Sequence, residues 1–189
     1  ISESIALFGG VDGDKLTNAN TAENVLDFGM GRFRAFYQEQ GIAVDVIQAV
    51  LAKKPSAPLD FDKRIKAVSY FGQLPEAETL AAANKRVGNI LAKFDGQLYD
   101  QFKVELASEQ AEKELATVFT AVKSKVTPLM VVKDYQAALT ELAQLKAPID
   151  TFFDNVMVMS DDEAVKINRL TLLNEIRNSF FAIADISQL

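Results

Sequence analysis

The stretch Leu80-Ala-Ala-Ala-Asn-Lys-Arg-Val-Gly-Asn-Ile-Leu-Ala-Lys-Phe94 sets the pattern around which the chain is organised. At a period of 3.6 residues, Leu80, Ala83, Val87, Leu91 and Phe94 share one face, with Ile90 at its edge. Lys85, Asn89 and Lys93 stack at i, i+4 and i+8 on the opposite face, with Arg86 beside Lys93. A ridge of small residues, Ala81, Gly88 and Ala92, runs between the two. Glycine inside a helix costs about 1 kcal/mol relative to alanine, so Gly88 is expected to permit close approach by another helix or a sugar-phosphate backbone. The pattern predicts a helix whose apolar side lies in a core and whose other side is a narrow basic strip bearing amides. The plainer reading of that strip is a solvated helix face.

Outward from this stretch the same period recurs. A helix is expected from Asn20 or Thr21 to about Gln40, stopped by Gly41 and carrying Val25, Leu26, Phe33, Phe36 and Tyr37 around Arg32 and Arg34. Asp45 opens a short helix that Pro55-Ser-Ala-Pro58 ends. Asp60 is expected to cap the next, which runs to Phe71. Asp95-Gly96 is a turn, and 97–107 reads as an irregular excursion. A long helix from Ser108 is expected to stop before Thr127-Pro128, because a residue preceding proline is pushed out of the α region. Asp134 to Lys146 is another helix, and Pro148 opens a short one. Ser160-Asp-Asp-Glu163 reads as a capping box for the last helix, with Val165, Leu170, Leu173, Ile176, Phe180 and Ile183. No convincing strand pattern or internal repeat interrupts this series, so the fold class is all-α.

Composition narrows the chemistry. The 189 residues contain neither cysteine nor histidine. Disulfides, thiolate or imidazole metal sites, and serine–histidine or cysteine–histidine nucleophiles are therefore excluded. The carboxylates Asp161 and Asp162 fall in the first turn of a helix, where the macrodipole already favours negative charge. Asp12 and Asp14 lack the remainder of a calcium loop. Gly9-Gly10 is not a phosphate loop, and Phe28-Gly-Met-Gly31 lies in a helical context unlike a dinucleotide fingerprint. No catalytic residue, metal ligand or cofactor site is expected.

The formal charge of −6 opposes indiscriminate binding to nucleic acid. Its distribution is uneven. Lys53 to Lys93 holds eight Lys/Arg against Asp60, Asp62, Glu76 and Glu78, a local +4 in an otherwise acidic chain. No run reaches the roughly 18 apolar residues of a membrane span, and Ile1–Phe8 has no signal-peptide pattern. Ser2–Phe8 reads as the tail of a helix and Gly9–Asp14 as a link. Residues 1–19 are thus expected to be the remnant of a preceding domain, and 20–189 a single helical domain.

Three stretches together carry a family resemblance. They are Gly31-Arg-Phe-Arg-Ala-Phe-Tyr-Gln-Glu-Gln-Gly41 with Val44-Asp-Val-Ile-Gln-Ala-Val-Leu51; Ala83-Asn-Lys-Arg-Val-Gly-Asn-Ile-Leu91; and Phe152-Phe-Asp-Asn-Val-Met-Val-Met159 with Asn168-Arg-Leu-Thr-Leu-Leu173 and Ala184-Asp-Ile-Ser-Gln-Leu189. In this order the sequence resembles the C-terminal region of the β subunit of bacterial two-subunit glycyl-tRNA synthetases, ending in a DALR-type anticodon-binding helical bundle. Gly29 departs from the pattern, which has a larger apolar residue there.

The resemblance implies a cytoplasmic enzyme that joins glycine to tRNA(Gly) using ATP and magnesium. Catalysis would lie on a separate α subunit of a heterotetramer, with no cofactor in this region and neither DNA nor membrane as partner. This region would read the anticodon end, where glycine anticodons finish in two cytosines. A cytosine edge asks for donors at O2 and N3 and an acceptor at N4. The residues expected to meet it are Asn84, Lys85, Arg86, Asn89 and Lys93, then Arg32, Arg34, Phe36 and Tyr37, then Arg169. Asn84 has a second expected role, a buried amide bonded to a neighbouring helix. Arg169 has one too, pinning the last helix to the rest. The competing class is a helical protein-interaction domain that docks a partner subunit.

Overall fold

The computed structural model describes residue 3 and residues 20–189, the side chains of Leu26 and Asp27 excepted. The expectations for Ser2–Phe8 and Gly9–Asp14 lie outside the described residues. Every regular element among the described residues is helical. The chain divides into two compact units, Ile1–Ala43 and Val44–Leu189.

The described part of the first unit is the helix α1, Thr21–Glu39. It ends where expected: Gly41 takes φ +80, and the Ile42 N–H donates to the Tyr37 carbonyl at 3.0 Å. That left-handed turn favours glycine because a Cβ would crowd the backbone.

The second unit is a bundle of seven helices: α2 Val44–Leu51, α3 Pro58–Phe71, α4 Ala77–Leu91, α5 Gln110–Val131, α6 Tyr135–Ala143, α7 Lys146–Asn155 and α8 Glu163–Phe181. Two 3-10 turns, Val104–Leu106 and Ile186–Gln188, complete it. Helix α8 is the axis. Six consecutive residues from Asn168 to Leu173 are buried, so this stretch of the helix is covered on all sides. Around it, α5 packs on α6 and α7, α3 on α2 and α6, and α4 on α8 and the terminal 3-10 turn. Phe61, Phe71, Phe152, Phe180, Ile47, Leu80, Leu115 and Leu139 fill the core.

Burying a polar stretch demands partners. Asn168 Oδ1 accepts from the Lys103 N–H and Nδ2 donates to the Lys103 carbonyl, each at 2.8 Å. Thr171 Oγ1 accepts from Tyr99 N at 3.1 Å, and Glu175 Oε1 from Phe102 N at 2.9 Å. These three side chains, at i, i+3 and i+7, form one edge of α8. They satisfy the backbone of the irregular segment much as a neighbouring strand would.

Three local expectations give way to tertiary context. Helix α5 runs through Pro128 to Val131. Pro128 lies in the last turn and is exposed, so the carbonyl it leaves unbonded can be solvated. The capping box is formed by Glu109 and Glu112 at the start of α5, not by Ser160 and Glu163. At α8 the cap is Asp162, which accepts from Ala164 N at 2.9 Å and Val165 N at 3.2 Å, while Glu163 pairs with Lys166. Asp60 does not cap α3, which starts at Pro58 after an extended Ala57. Instead it accepts from Arg64 Nε at 2.8 Å and the Tyr135 hydroxyl at 2.6 Å, with Lys133 Nζ at 3.2 Å.

Candidate nucleic-acid interface

Helix α4 exists because Leu80, Ala81, Asn84 and Val87 are buried along one side of it. The helix is turned so that Asn84, not Leu91 or Phe94, is central to the buried face. Opposite lie Lys85, Arg86, Asn89 and Lys93, all exposed. Among the described residues none of these three cations makes an ion pair. The rest of the basic island is otherwise engaged. Arg64 is bound to Asp60 and to the Ala182 carbonyl at 2.9 Å, and Lys66 to Asp62 at 2.7 Å. Folding therefore neutralises much of the charge on α3 and leaves that on α4 without carboxylate partners.

Arg86 is more than a solvated charge. Its Cζ lies 4.2 Å from the centre of the Phe153 ring of α7, and Phe153 meets Phe152 edge-on at 5.6 Å. A guanidinium held over an aromatic ring keeps a flat orientation at little entropic cost. Phe153 is absent from the residues expected at the site, because nothing in the sequence tells that α7 reaches α4.

Two residues named from the sequence are withdrawn from contact with any nucleotide. Asn84 is 5% exposed, and its Nδ2 donates to the Leu80 carbonyl one turn back at 2.9 Å. It is a buried amide, satisfied within its own helix. Arg169 is 5% exposed, ion-paired to the fully buried Glu112. It also donates to the Met157 carbonyl at 2.7 Å and to Ser108 Oγ at 2.9 Å. It pins α8 to the start of α5 and to the segment before α8. Gly88 is where α8 comes close to α4: its bare side receives the guanidinium of Arg177, whose Nε would lie 3.4 Å from a Cβ there.

In the first unit, Arg32, Arg34 and Phe36 are exposed. Arg32 Cζ lies 5.2 Å from the Phe28 ring centre. Tyr37 is only 7% exposed and meets Phe36 edge-on at 5.2 Å, so it is not free to stack a base.

Among the described residues no cluster of three or more acidic side chains is arranged to hold a metal. None of the described helices is long and apolar enough to cross a membrane.

Among the described residues, the second unit is a helical bundle with a cationic, amide-bearing face, an arrangement suited to binding. The profile of the DALR anticodon binding domain matches residues 80–186, more than half of the chain. The chain belongs to that family. It is 77% identical over its full length to the glycine–tRNA ligase beta subunit of Colwellia psychrerythraea. It is also 60% identical over 177 residues to that of Aliivibrio fischeri, and 55% identical over 189 residues to that of Vibrio cholerae. The chain spans about a quarter of the length of these relatives, 27% of the first.

Proposed function

We propose that this chain is the anticodon-reading module of a glycine–tRNA ligase beta subunit, and that its α4 face meets the unpaired anticodon loop of tRNA(Gly). The observation that supports this best is the exposed set Lys85, Arg86, Asn89 and Lys93, free of ion pairs among the described residues, inside the segment that matches the anticodon-binding family. The three cations supply phosphate contacts. The amide of Asn89 has both a donor and an acceptor for a base edge. Arg86, held over the Phe153 ring, offers a planar guanidinium on which a base can stack. On the first unit, Arg32, Arg34 and Phe36 are a second group of the same chemistry.

In this reading the chain performs no bond chemistry itself. It supports the attachment of glycine to tRNA(Gly) by the whole enzyme, which uses ATP and magnesium on a separate alpha subunit in a cytoplasmic heterotetramer.

Charge reversal tests the reading. In the complete subunit, Lys85→Glu with Arg86→Glu is expected to weaken tRNA(Gly) binding by at least about tenfold near 0.1 M salt. The log–log dependence on salt should become shallower by about 0.7 for each phosphate that is no longer neutralised. Unchanged affinity and slope would remove α4 as the interface and favour a protein-docking bundle.

A further inference from the structure

Beyond the α4 strip, the structure gathers two more cations around one aromatic ring. Lys53, just after α2, holds its Nζ 4.7 Å from the centre of the Phe181 ring at the end of α8. Arg177, one turn earlier on α8, places Cζ 5.7 Å from the same centre. Arg177 also lies against α4 at Gly88, with Nε and Nη2 3.4 and 3.6 Å from where a Cβ would be. All three side chains around the ring's position, Lys53, Arg177 and Phe181 itself, belong to half-buried residues.

We propose that Lys53 and Arg177, both held by Phe181 and the latter seated on Gly88, bind neighbouring phosphodiesters of the RNA, one each, and extend the α4 surface onto α8 and the end of α2. This rests on the RNA-binding reading above and adds to it two residues that the sequence motifs do not include.

Three observations carry it. First, like charges around one ring repel, and among the described residues neither Lys53 nor Arg177 has a carboxylate partner. The carboxylate of Asp185, whose backbone N–H donates to Ala49 on α2, is taken up by its own 3-10 turn. It accepts from Ser187 N at 3.3 Å and Ser187 Oγ at 2.7 Å. An arriving anion would relieve a repulsion that the fold leaves uncompensated. Second, the guanidinium of Arg177 makes no hydrogen bond among the described residues: its Nε is buried against α4, which leaves the outer nitrogens to meet an anion. A guanidinium required only for packing would be expected to find a carbonyl, as Arg64 and Arg169 do. Third, Gly88 is one turn from Lys85 on α4. Its missing side chain lets Arg177 lie against α4 there, which brings a cation of α8 to the helix that carries Lys85.

The test is tRNA(Gly) binding by the complete subunit as salt is varied. Lys53→Gln with Arg177→Gln is expected to weaken binding by at least about tenfold near 0.1 M salt and to flatten the salt slope by about 1.4, two single-strand phosphates at roughly 0.7 each. Arg177→Lys, which keeps the charge, should retain most of the slope that Arg177→Gln loses, whereas a purely structural arginine would leave the slope at its wild-type value in both. If Arg177→Gln disturbs folding, Lys53→Gln alone should still lower the slope by about 0.7. Wild-type affinity and slope in the Lys53/Arg177 variant, beside clear weakening in Lys85→Glu/Arg86→Glu, would overturn this inference and leave the RNA reading standing. No effect in either variant would overturn both.

Discussion

Arg169 shows how one residue type takes opposite roles according to what surrounds it. Read in sequence, Arg169 is a third-rank RNA ligand behind Lys85, with a pin for the last helix as its other expected role. In the fold it sits beside a carboxylate that is fully buried, and each of its two remaining nitrogens donates a hydrogen bond. Removing one member of such a pair leaves the other charge buried and unpaired, which typically costs about 3–5 kcal/mol. Arg169→Met is therefore expected to lower unfolding free energy by that order in urea titration. Arg169→Met with Glu112→Leu should cost distinctly less than the sum of the single changes, because no uncompensated charge remains. The double variant still forfeits the capping bond from Glu109 N to Glu112 Oε2, at 2.9 Å. An RNA-contacting arginine would behave differently, changing affinity and leaving stability nearly untouched.

Among the helices, α1 and α8 mark the limits of periodicity. Helix α1 is readable from sequence, including its stop at Gly41, because its signals are local. Within it, Gly29 and Gly31 are open: a Cβ at either would meet nothing within 4 Å. Each glycine costs its helix about 1 kcal/mol relative to alanine. Gly29→Ala with Gly31→Ala is thus expected to stabilise α1 by roughly 1–2 kcal/mol, read as slower amide exchange across Thr21–Glu39. Unchanged exchange there would show that the helix is limited by something other than propensity. Helix α8 is readable as a helix but not as the centre of the bundle. Its run of Asn168, Arg169 and Thr171 looks like a polar face, and only the partners on the segment before α5 and on α5 itself make it an interior.

For the second unit as a whole, the packing of α3 with α6 and with the end of α8 converges on one ionic cluster. Arg64 donates to Asp60 and Tyr135, and also to the carbonyls of Ala182 and Ile183. Burial alone would raise the pKa of Asp60. The hydrogen bond from Tyr135, the bond and charge of Arg64 and the nearby Lys133 outweigh it, and hold Asp60 down at about 2. Burial, with the adjacent carboxylate, pushes the Tyr135 hydroxyl up. A carboxylate whose pKa is depressed on folding contributes stability that is present in full above its unfolded value of about 4. That contribution disappears as pH falls through the folded value of about 2. The linkage amounts to about 2 kcal/mol. Stability measured from about pH 5 down to about pH 2 should fall by that order more in the native chain than in Asp60→Asn. Parallel profiles for the two would show that Asp60 is not tied to folding in this way.

Residue order alone was enough for the helices, most of their ends, the exclusion of imidazole and thiol chemistry, and the cationic face of α4. All of these follow from residue type and a 3.6-residue period, which act over one or two turns. Which charges remain available was settled by packing. Asn84 and Arg169 went inside, Arg64 and Lys66 found carboxylates, and Phe153 and Arg177 arrived beside α4 from distant parts of the chain. A side chain's exposure and its ionic partner depend on how helices cross, and no local pattern encodes that crossing.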